Sequence, residues 1–444
     1  MVKFLTILGL IASAFLVSSA PWVSALIYSV VSVMQPQYVW FWVFEDIRVF
    51  RISAAIAIIA WILCAFRGQV NWQVYSSGQF KGMVGLLIIF YLSTWLTPFE
   101  TYSAAVGGDL VVSIFTTIFI MYFIVLGLLN KPEIVKYFAF MFIGITLYYC
   151  YWANDHYFSN NWAQFLNGRL KGPDLSPYRD GNVFSIVFTT GLSFILFGIL
   201  YFKRSWIKIS LVLSVPFVLH ALILFASRGA LLSAGVLVLF FAFVVKSKSL
   251  NIAIVIGFIG MLVWQGGALT DRTTSTIAKA NDNQVERPLN PRLVSWGIGW
   301  GLAKEYPLLG VGPQRFQYAS RIHFPEKAKH VAHNTFLNFS ANTGFISGFI
   351  YIMFFYWSYK QYKYVKANTD QDSDHGFVNL ASMGGLIAFF VGAVFLDLII
   401  FEPFYFLLLL ISANYYMVKR KNEENPLQDQ KNATYQKVKN KRAI

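Results

Sequence analysis

Residues 271–331 have the sequence DRTTSTIAKANDNQVERPLNPRLVSWGIGWGLAKEYPLLGVGPQRFQYASRIHFPEKAKHV. This polar stretch interrupts a strongly apolar chain and runs directly into His333 and Asn334, where the next apolar segment begins. Its arginines and histidines are Arg272, Arg287, Arg292, Arg315, Arg321, His323 and His330. A chain that keeps most of its length in lipid and one arginine-rich loop in water is expected to work through that loop.

The composition on either side of the loop is that of a membrane protein. Of the 444 residues, 57% are hydrophobic, 18% are aromatic and only 13% are charged, whereas about 25% of the residues of a soluble protein are charged. Continuous apolar runs of roughly 18–22 residues recur along the chain, which is the length that crosses a hydrocarbon core of ~30 Å. Barrel strands alternate apolar and polar residues, so these runs exclude an outer-membrane barrel. The sequence predicts an all-α fold, a polytopic bundle of transmembrane helices.

Apolar stretches recur from end to end, and about 12 of them are expected to cross the membrane. The first resembles a signal peptide, but Pro21 follows it directly and disfavours cleavage, so we expect a retained hairpin. The stretches cover residues 3–20, 22–36, 49–66, 81–98, 109–130, 134–152, 182–202, 206–226, 229–245, 249–269, 334–358, 378–397 and 399–418. The predicted divisions are transmembrane helices at 1–269, a large loop with short helices at 270–332, transmembrane helices at 333–418 and a basic tail at 419–444.

The formal net charge of +15 raises the question of nucleic-acid binding. Basic residues instead fall in every second connection between apolar stretches, as expected for loops that stay in the cytoplasm, so no nucleic-acid partner is predicted. These residues are Lys131, Lys136, Lys203, Arg204, Lys208, Lys246, Lys248, Lys360, Lys363 and Lys366. The long loop, Arg228 and the turn near Asp397 then belong to the opposite face. The side of residue 1 stays open, because the first hairpin either begins outside or does not cross fully.

The long loop is more basic than an outer loop needs to be. Between Asp271 and Lys329 it holds nine lysines and arginines against five acidic residues. A loop of this length can be translocated despite its charge, so the charge indicates a ligand outside the cytoplasm. Trp296, Trp300 and Tyr306 predict an amphipathic helix at the membrane interface.

Two arginines are candidates for binding an anion. Arg228 lies between two apolar runs, where an arginine either snorkels to the interface or finds a partner. Arg292 follows Pro291, a residue suited to the first turn of a helix, where the helix dipole favours an anion. The guanidinium fork fits phosphate oxygens in two-point contacts. The alternative for Arg292 is an ordinary surface position in the loop.

His333 and Asn334 open the next apolar segment at the membrane boundary. A neutral imidazole accepts a proton from a hydroxyl, and a charged one binds phosphate; the alternative is an interfacial or helix-capping role. His330 lies three residues before His333, but a metal site needs further ligands. We therefore expect no metal and no cofactor.

Smaller features share this face. Asp180 or Asn182 could cap the helix that follows or contact a sugar. The glycines at 310 and 312 lack the strand and the Lys-Ser/Thr ending of a phosphate-binding loop. Cys64 and Cys150 lie inside apolar runs and are expected to be buried and to pack as small apolar side chains.

The order of these motifs resembles the O-antigen ligase and polymerase family of bacterial envelope proteins. The resemblance covers roughly residues 180–350. Residues 32–37 are similar to a subgroup described as O-glycosylation ligases. The motifs are Ser227-Arg228-Gly229-Ala230, Arg292 with Trp296, the sequence YPLLGVG at 306–312, and His333-Asn334 with Gly344 and Gly348.

The resemblance implies transfer of a glycan from an undecaprenyl-diphosphate carrier on the periplasmic face of the inner membrane. Ligases pass the glycan to a lipid A–core sugar or to a protein hydroxyl, and polymerases pass it to another repeat unit. No nucleotide or metal is implied. The family's two arginines and one histidine correspond to Arg228, Arg292 and His333. A weaker set for binding the diphosphate or substrate comprises Arg287, Arg315, Arg321, Asn334, Asp180 and Asn182.

Two other functions stay open from the sequence. A polymerase would share the fold and the motifs, and the sequence does not distinguish it from a ligase. A transporter or flippase would predict charged or broken helices at the bilayer midplane and a two-fold repeat. Few charges lie deep in the apolar runs and no repeat is apparent, which disfavours transport.

Overall fold

The chain forms an all-α bundle, as the sequence predicts, in a computed structural model that describes residues 2–101, 109–245, 252, 254–257, 259–260, 291–326 and 331–441. The helices of the first half are α1 (Val2–Phe15), α2 (Pro21–Met34), α3 (Pro36–Val39), α4 (Phe41–Phe44), α5 (Val49–Phe66), α6 (Gly78–Leu96), α7 (Leu110–Leu128), α8 (Val135–Phe158), α9 (Gly181–Tyr201), α10 (Ser205–Phe225) and α11 (Arg228–Val244). Those of the second half are α12 (Pro291–Glu305), α13 (Phe316–His323), α14 (Thr335–Thr343), α15 (Phe345–Asn368), α16 (Asp374–Ala393) and α17 (Glu402–Lys441). Short 3-10 turns cover Trp72–Ser76, Pro132–Ile134 and Trp162–Gln164.

Within the described residues, seven segments are long and apolar enough to cross a membrane: α5, α6, α7, Pro132–Phe158, α9, α10 and α16. Shorter apolar helices are Lys3–Phe15, α2 and α11. These helices confirm the prediction of a polytopic helical protein, whereas the number of full spans stays a prediction. Most of the predicted stretch at 249–269 lies outside the described residues.

Helices α9 and α16 form the centre of the bundle. They are the most buried of the candidate spans, with 89% and 83% of their apolar windows inside the protein. Small residues let them approach closely, since a Cβ added to Gly384 would lie 2.4 Å from Ser193 Oγ. Ser193 also donates a hydrogen bond of 2.7 Å to the carbonyl of Ala381. Small residues with hydroxyl cross-links are typical of helix contacts in membranes.

The connections gather on two opposite ends of the bundle. At one end, here called the basic face, Lys136 pairs with Asp374 at 2.7 Å and Tyr201 donates to the same carboxylate at 2.6 Å. This face carries the connections at 67–71, 129–134, 202–204 and 369–373. At the other end, here called the loop face, Thr335 donates to the carbonyl of Leu396 at 2.8 Å. That face carries residues 35–48, 97–101, 159–180, 226–227, 291–344 and 394–401.

The predicted apolar stretch at 334–358 is two helices rather than one. Helix α14 ends at Thr343, and Gly344 adopts a φ of +87° before α15 begins. A Cβ at Gly344 would lie 2.1 Å from the carbonyl oxygen of Leu308, so only glycine fits this crossing. The break lets the short α14 stay on the loop face.

The described part of the long loop folds onto the bundle around its own small core. Buried residues of α12 and α13, including Ile298, Leu302 and Phe316, pack with Leu337 of α14 and with Phe99 at the end of α6. The helix predicted around Trp296 and Trp300 is therefore present as α12, whereas its amphipathic character and its position at the membrane interface stay predictions. Residues 261–290 and 327–330 lie outside the described part of the chain.

Candidate active site

Four helices begin close to the predicted site residues on the loop face. Asp180 caps α9 by accepting the amide N–H of Asn182 at 2.8 Å, and Ser227 caps α11 directly before Arg228. Helix α12 starts at Pro291, as predicted, so Arg292 lies in its first turn. Asn334 caps α14 by accepting the amide N–H of Leu337 at 3.0 Å. Helix N-termini carry partial positive charge and exposed N–H groups, which favour an anion.

Arg228 and Arg292 are brought together from distant parts of the sequence. Partial burial and the charge of Arg228 lower the pKa of Arg292, while the charge of Asp180 acts in the opposite direction. The Arg292 guanidinium lies 5.8 Å from the centre of the Phe395 ring. The same ring lies 3.4 Å from where a Cβ of Gly229 would be, immediately after Arg228. Phe395 therefore lies close to the starts of both α11 and α12, and the Arg292 guanidinium lies over its ring.

His333 is hydrogen-bonded through its backbone to α12, the helix that carries Arg292. The indole N–H of Trp296, one turn after Arg292, donates to the backbone carbonyl of His333 at 3.4 Å. Trp296 also contacts the Phe395 ring, with 6.4 Å between ring centres. His333 is half-buried and has a φ of +47°, in the left-handed region that non-glycine residues rarely adopt. Strained backbone of this kind is concentrated at functional sites.

Arg169, which the sequence analysis does not single out, contacts one of the predicted site residues. Its guanidinium donates to Asn182 Oδ1 at 2.7 Å and to the carbonyl of Phe225 at 3.1 Å. It thus joins the start of α9 to the end of α10, just before Arg228. Arg169 begins the second strand of a hairpin, β1 (Phe165–Leu166) and β2 (Arg169–Leu170). The Asn-Gly pair at 167–168 is a strong sequence signal for such a turn, and it could have predicted the hairpin.

The remaining candidates lie elsewhere or have other partners. Arg315 donates to the carbonyls of Phe99 and Pro313, at 2.9 and 3.0 Å, so it fixes the loop to the end of α6. Burial lowers its pKa. Arg321 is exposed in the last turn of α13. Arg287 and His330 lie outside the described residues.

Two further observations bear on the chemistry of the site. Across the described residues, no group of three or more His, Cys, Asp or Glu side chains could hold a metal ion. The glycines at 310 and 312 serve packing, because Val311 and Gly312 donate to the carbonyls of Ala341 and Asn342 at 2.9 and 2.8 Å. The predicted site residues thus comprise Arg292 with Arg228 and Asp180 close by, and His333, whose backbone carbonyl accepts a hydrogen bond from α12.

Comparison with known proteins gives a family for this part of the chain. Residues 213–352 match the family model described as O-antigen ligase, and no curated protein matches the chain. The matched segment contains Arg228, Arg292 and His333 and runs from α10 into α15. At the family level this domain implies glycosyl transfer of the ligase or polymerase type, from a lipid-linked glycan donor to a glycan or lipid acceptor. This multi-pass membrane chain therefore carries an O-antigen ligase family domain at residues 213–352.

Proposed function

We propose that this chain is an O-antigen ligase-type glycosyltransferase that takes its glycan from undecaprenyl diphosphate. The acceptor is a hydroxyl of a lipid A–core sugar, of another glycan or of a protein. The reaction takes place at the loop face, which we assign to the periplasmic side of the bacterial inner membrane. No metal or nucleotide takes part. The proposal rests on the site geometry and on the family-level match of residues 213–352.

One observation carries the proposal. Two guanidinium groups, Arg228 and Arg292, lie close enough for the charge of one to lower the pKa of the other. Like charges held together at helix N-termini destabilise the free protein unless an anion joins them. A diphosphate provides two phosphate groups and enough oxygens to bind both arginines in two-point contacts.

The proposed step is a displacement at the anomeric carbon of the donor glycan. The acceptor oxygen forms a bond to that carbon, and the bond from carbon to the diphosphate oxygen breaks. Negative charge develops on the leaving diphosphate, where fixed cations stabilise the transition state; loss of one such group commonly costs ~10²–10³ in rate. Arg228 and Arg292 supply these cations.

His333 is the proposed acceptor of the proton released by the attacking hydroxyl. A positioned base contributes ~10²–10⁴ in rate. The hydrogen bond from Trp296 to the His333 carbonyl ties this residue to the helix that carries Arg292. The proposed base and Arg292 are therefore linked by a direct hydrogen bond between their segments.

The test is transfer by purified protein in liposomes that contain an undecaprenyl-diphosphate glycan. Lipid A–core, a Ser/Thr-containing peptide and a short free glycan are supplied separately, and products are analysed by mass. The expected result is one glycosylated acceptor together with free undecaprenyl diphosphate. Elongated lipid-linked chains without any added acceptor would instead identify a polymerase. The absence of every transfer product, with folded protein present, would overturn the proposal.

A further inference from the structure

A large chamber with apolar and polar lining residues lies near the start of α9 and the residues before His333. Its volume is about 830 Å³, near the upper end of the ~300–1,000 Å³ typical of ligand sites. The walls come from the end of α2, the start of α7, helix α14 and the turn between α16 and α17. Two of the lining residues are Val183 and Val331. Val183 directly follows Asn182, and Val331 lies two residues before His333. Some residues that line the chamber are therefore close in sequence to residues of the candidate active site.

The titratable carboxyl groups of the chamber contrast with the guanidinium groups of the arginine cluster, Arg228 and Arg292. Its polar lining includes two carboxylates, Asp397 and Glu402, and the side-chain amides of Gln35, Asn338 and Asn342. No lysine, arginine or histidine occurs among the described residues that line it. This is notable in a chain with a formal charge of +15. Among the described lining residues, an anionic group entering the chamber would meet two carboxyl groups and no cation.

The polar groups of the chamber are held in place by neighbours. Glu402 accepts a hydrogen bond from Ser32, and Gln35 donates to the Ser32 carbonyl at 2.6 Å. Asp397 bonds to the Asn338 side chain and to the backbone of Ile399. Fixed carboxylates and amides of this kind bind the hydroxyl groups of sugars, because carboxylates accept and amides both donate and accept.

Asn342 adds an independent indication of a ligand. Its side chain is 4% exposed and lines the chamber, and its Nδ2 donates to the Asn338 carbonyl at 2.9 Å. Its Oδ1 is buried and has no hydrogen-bond partner within the described part of the chain. Buried polar atoms are nearly always paired, so an acceptor left unpaired beside a chamber indicates a donor from a bound molecule.

We propose that this chamber binds sugar residues that carry hydroxyl or amino groups and no carboxylate or phosphate. This inference rests on the proposed glycosyl transfer and specifies the chemical class of the sugars next to the reacting bond. The diphosphate is held by Arg228 and Arg292, and the sugars next to the reacting bond occupy the acidic chamber. The chain thereby separates the anionic carrier from the neutral or cationic glycan.

The experiment measures binding of free trisaccharides to the purified full chain by isothermal titration calorimetry. The probes are N-acetylglucosamine, glucosamine and galacturonic acid trimers, which are neutral, cationic and anionic. The neutral and cationic trimers are expected to bind at least about tenfold more tightly than the anionic one, since the described lining offers no cation to offset the loss of water around a buried anion. Equal binding of all three trimers by the wild-type protein overturns the proposal and requires no variant.

Isosteric variants test which groups discriminate. The double variant Asp397→Asn with Glu402→Gln is expected to improve binding of the anionic trimer by at least about tenfold and to leave the neutral trimer within about threefold. The matched control is Asp372→Asn, an exposed acid on the basic face, which should change neither. If the double variant still binds the neutral trimer more tightly than the anionic trimer by the wild-type ratio, the sugar-binding site lies outside this chamber.

Two further measurements separate this inference from the proposed function and identify the source of the sugar. Arg292→Ala should abolish transfer and retain binding of the neutral trimer, so failure of transfer alone does not remove the chamber. In the transfer assay, a neutral trimer that raises the KM for the acceptor assigns the chamber to the acceptor glycan. A trimer that raises the KM for the lipid-linked donor assigns it to the donor glycan. A trimer that binds and alters neither KM contradicts a role in transfer.

Discussion

Arg228 and Arg292 start different helices, yet both helix starts approach the Phe395 ring, and burial together with the charge of Arg228 lowers the pKa of Arg292. Arg228 is exposed and Arg292 half-buried, so a ligand can reach the first, while the second is partly shielded from solvent. Burial strengthens the interaction between a cation and a phosphate. The pair is therefore suited to an anion that enters from outside and is bound at its inner end.

At the residue scale, we predict that His333→Asn lowers the transfer rate by ~10²–10⁴, the contribution of a positioned base. Asparagine tolerates the left-handed backbone observed at this position better than most residues. The variant should therefore retain the unfolding temperature of the wild-type protein while losing activity. Transfer assays and thermal unfolding in the same detergent provide the two measurements. Wild-type transfer by a folded His333→Asn protein would remove this residue from the site.

The sequence predicts Arg228, Arg292 and His333 as site residues because they occur in recognisable local motifs, and their roles stay a prediction. It does not predict their structural partners. Arg169 was missed, because its role depends on contacts with Asn182 and the Phe225 carbonyl across a hairpin. From the sequence, Asp397 is only a charge near a turn. Its place in the chamber could not be predicted, because the chamber forms where several distant elements meet.

At the scale of elements, the length of an apolar stretch predicts where helices lie, but it does not predict where a helix is interrupted. The stretch predicted at 49–66 coincides with α5, and that predicted at 182–202 differs from α9 by one residue at each end. The stretch at 334–358 is predicted as one apolar segment, but the structure divides it at Gly344. Hydrophobicity persists across the break, whereas the close approach of the Leu308 carbonyl is a tertiary feature that composition does not show.

We predict that Gly344→Ala destabilises the protein by about 1–3 kcal/mol, the usual cost of a non-glycine residue in strained backbone. The added Cβ would meet the Leu308 carbonyl at 2.1 Å, and the φ of +87° is unfavourable for alanine. Gly144→Ala is the matched control, because Gly144 is exposed within α8 and a Cβ there meets nothing within 4 Å. Thermal unfolding should show a loss for Gly344→Ala and no loss for Gly144→Ala. Equal stability of both variants would show that the break tolerates a side chain.

At the scale of the whole molecule, the alternation of basic and polar connections matches the two ends of the bundle. Lys136 and Asp374 meet on one end, and the site residues gather on the other. The first hairpin follows the same pattern, because Arg67 donates to the carbonyl and hydroxyl oxygens of Ser18 at 2.6 Å, which places the turn after α1 on the basic face. This arrangement directs the start of α1 towards the loop face. Helix α1 has 14 residues and is about 21 Å long, shorter than a ~30 Å hydrocarbon core.

Sidedness is predicted to be visible in cysteine labelling. Ser159, after α8, is exposed on the loop face, and Ser205, at the start of α10, is exposed on the basic face. The native Cys64 and Cys150 are only 2% and 5% exposed, so they contribute little background. A membrane-impermeant maleimide should label Ser159→Cys in intact spheroplasts and label Ser205→Cys only after lysis. The reverse pattern would place the site in the cytoplasm.

The central claim is that Arg228 and Arg292 act together on one departing diphosphate, and a double-mutant cycle on the transfer rate tests it most directly. Arg228→Ala and Arg292→Ala are each expected to lower the rate by ~10²–10³, with Lys304→Ala, a cation elsewhere on α12, as the unaffected control. Because groups that act as a unit are not additive, the double variant should lose far less than the product of the two single losses. Wild-type rates in either single variant, or strictly multiplicative losses in the double variant, would contradict the account.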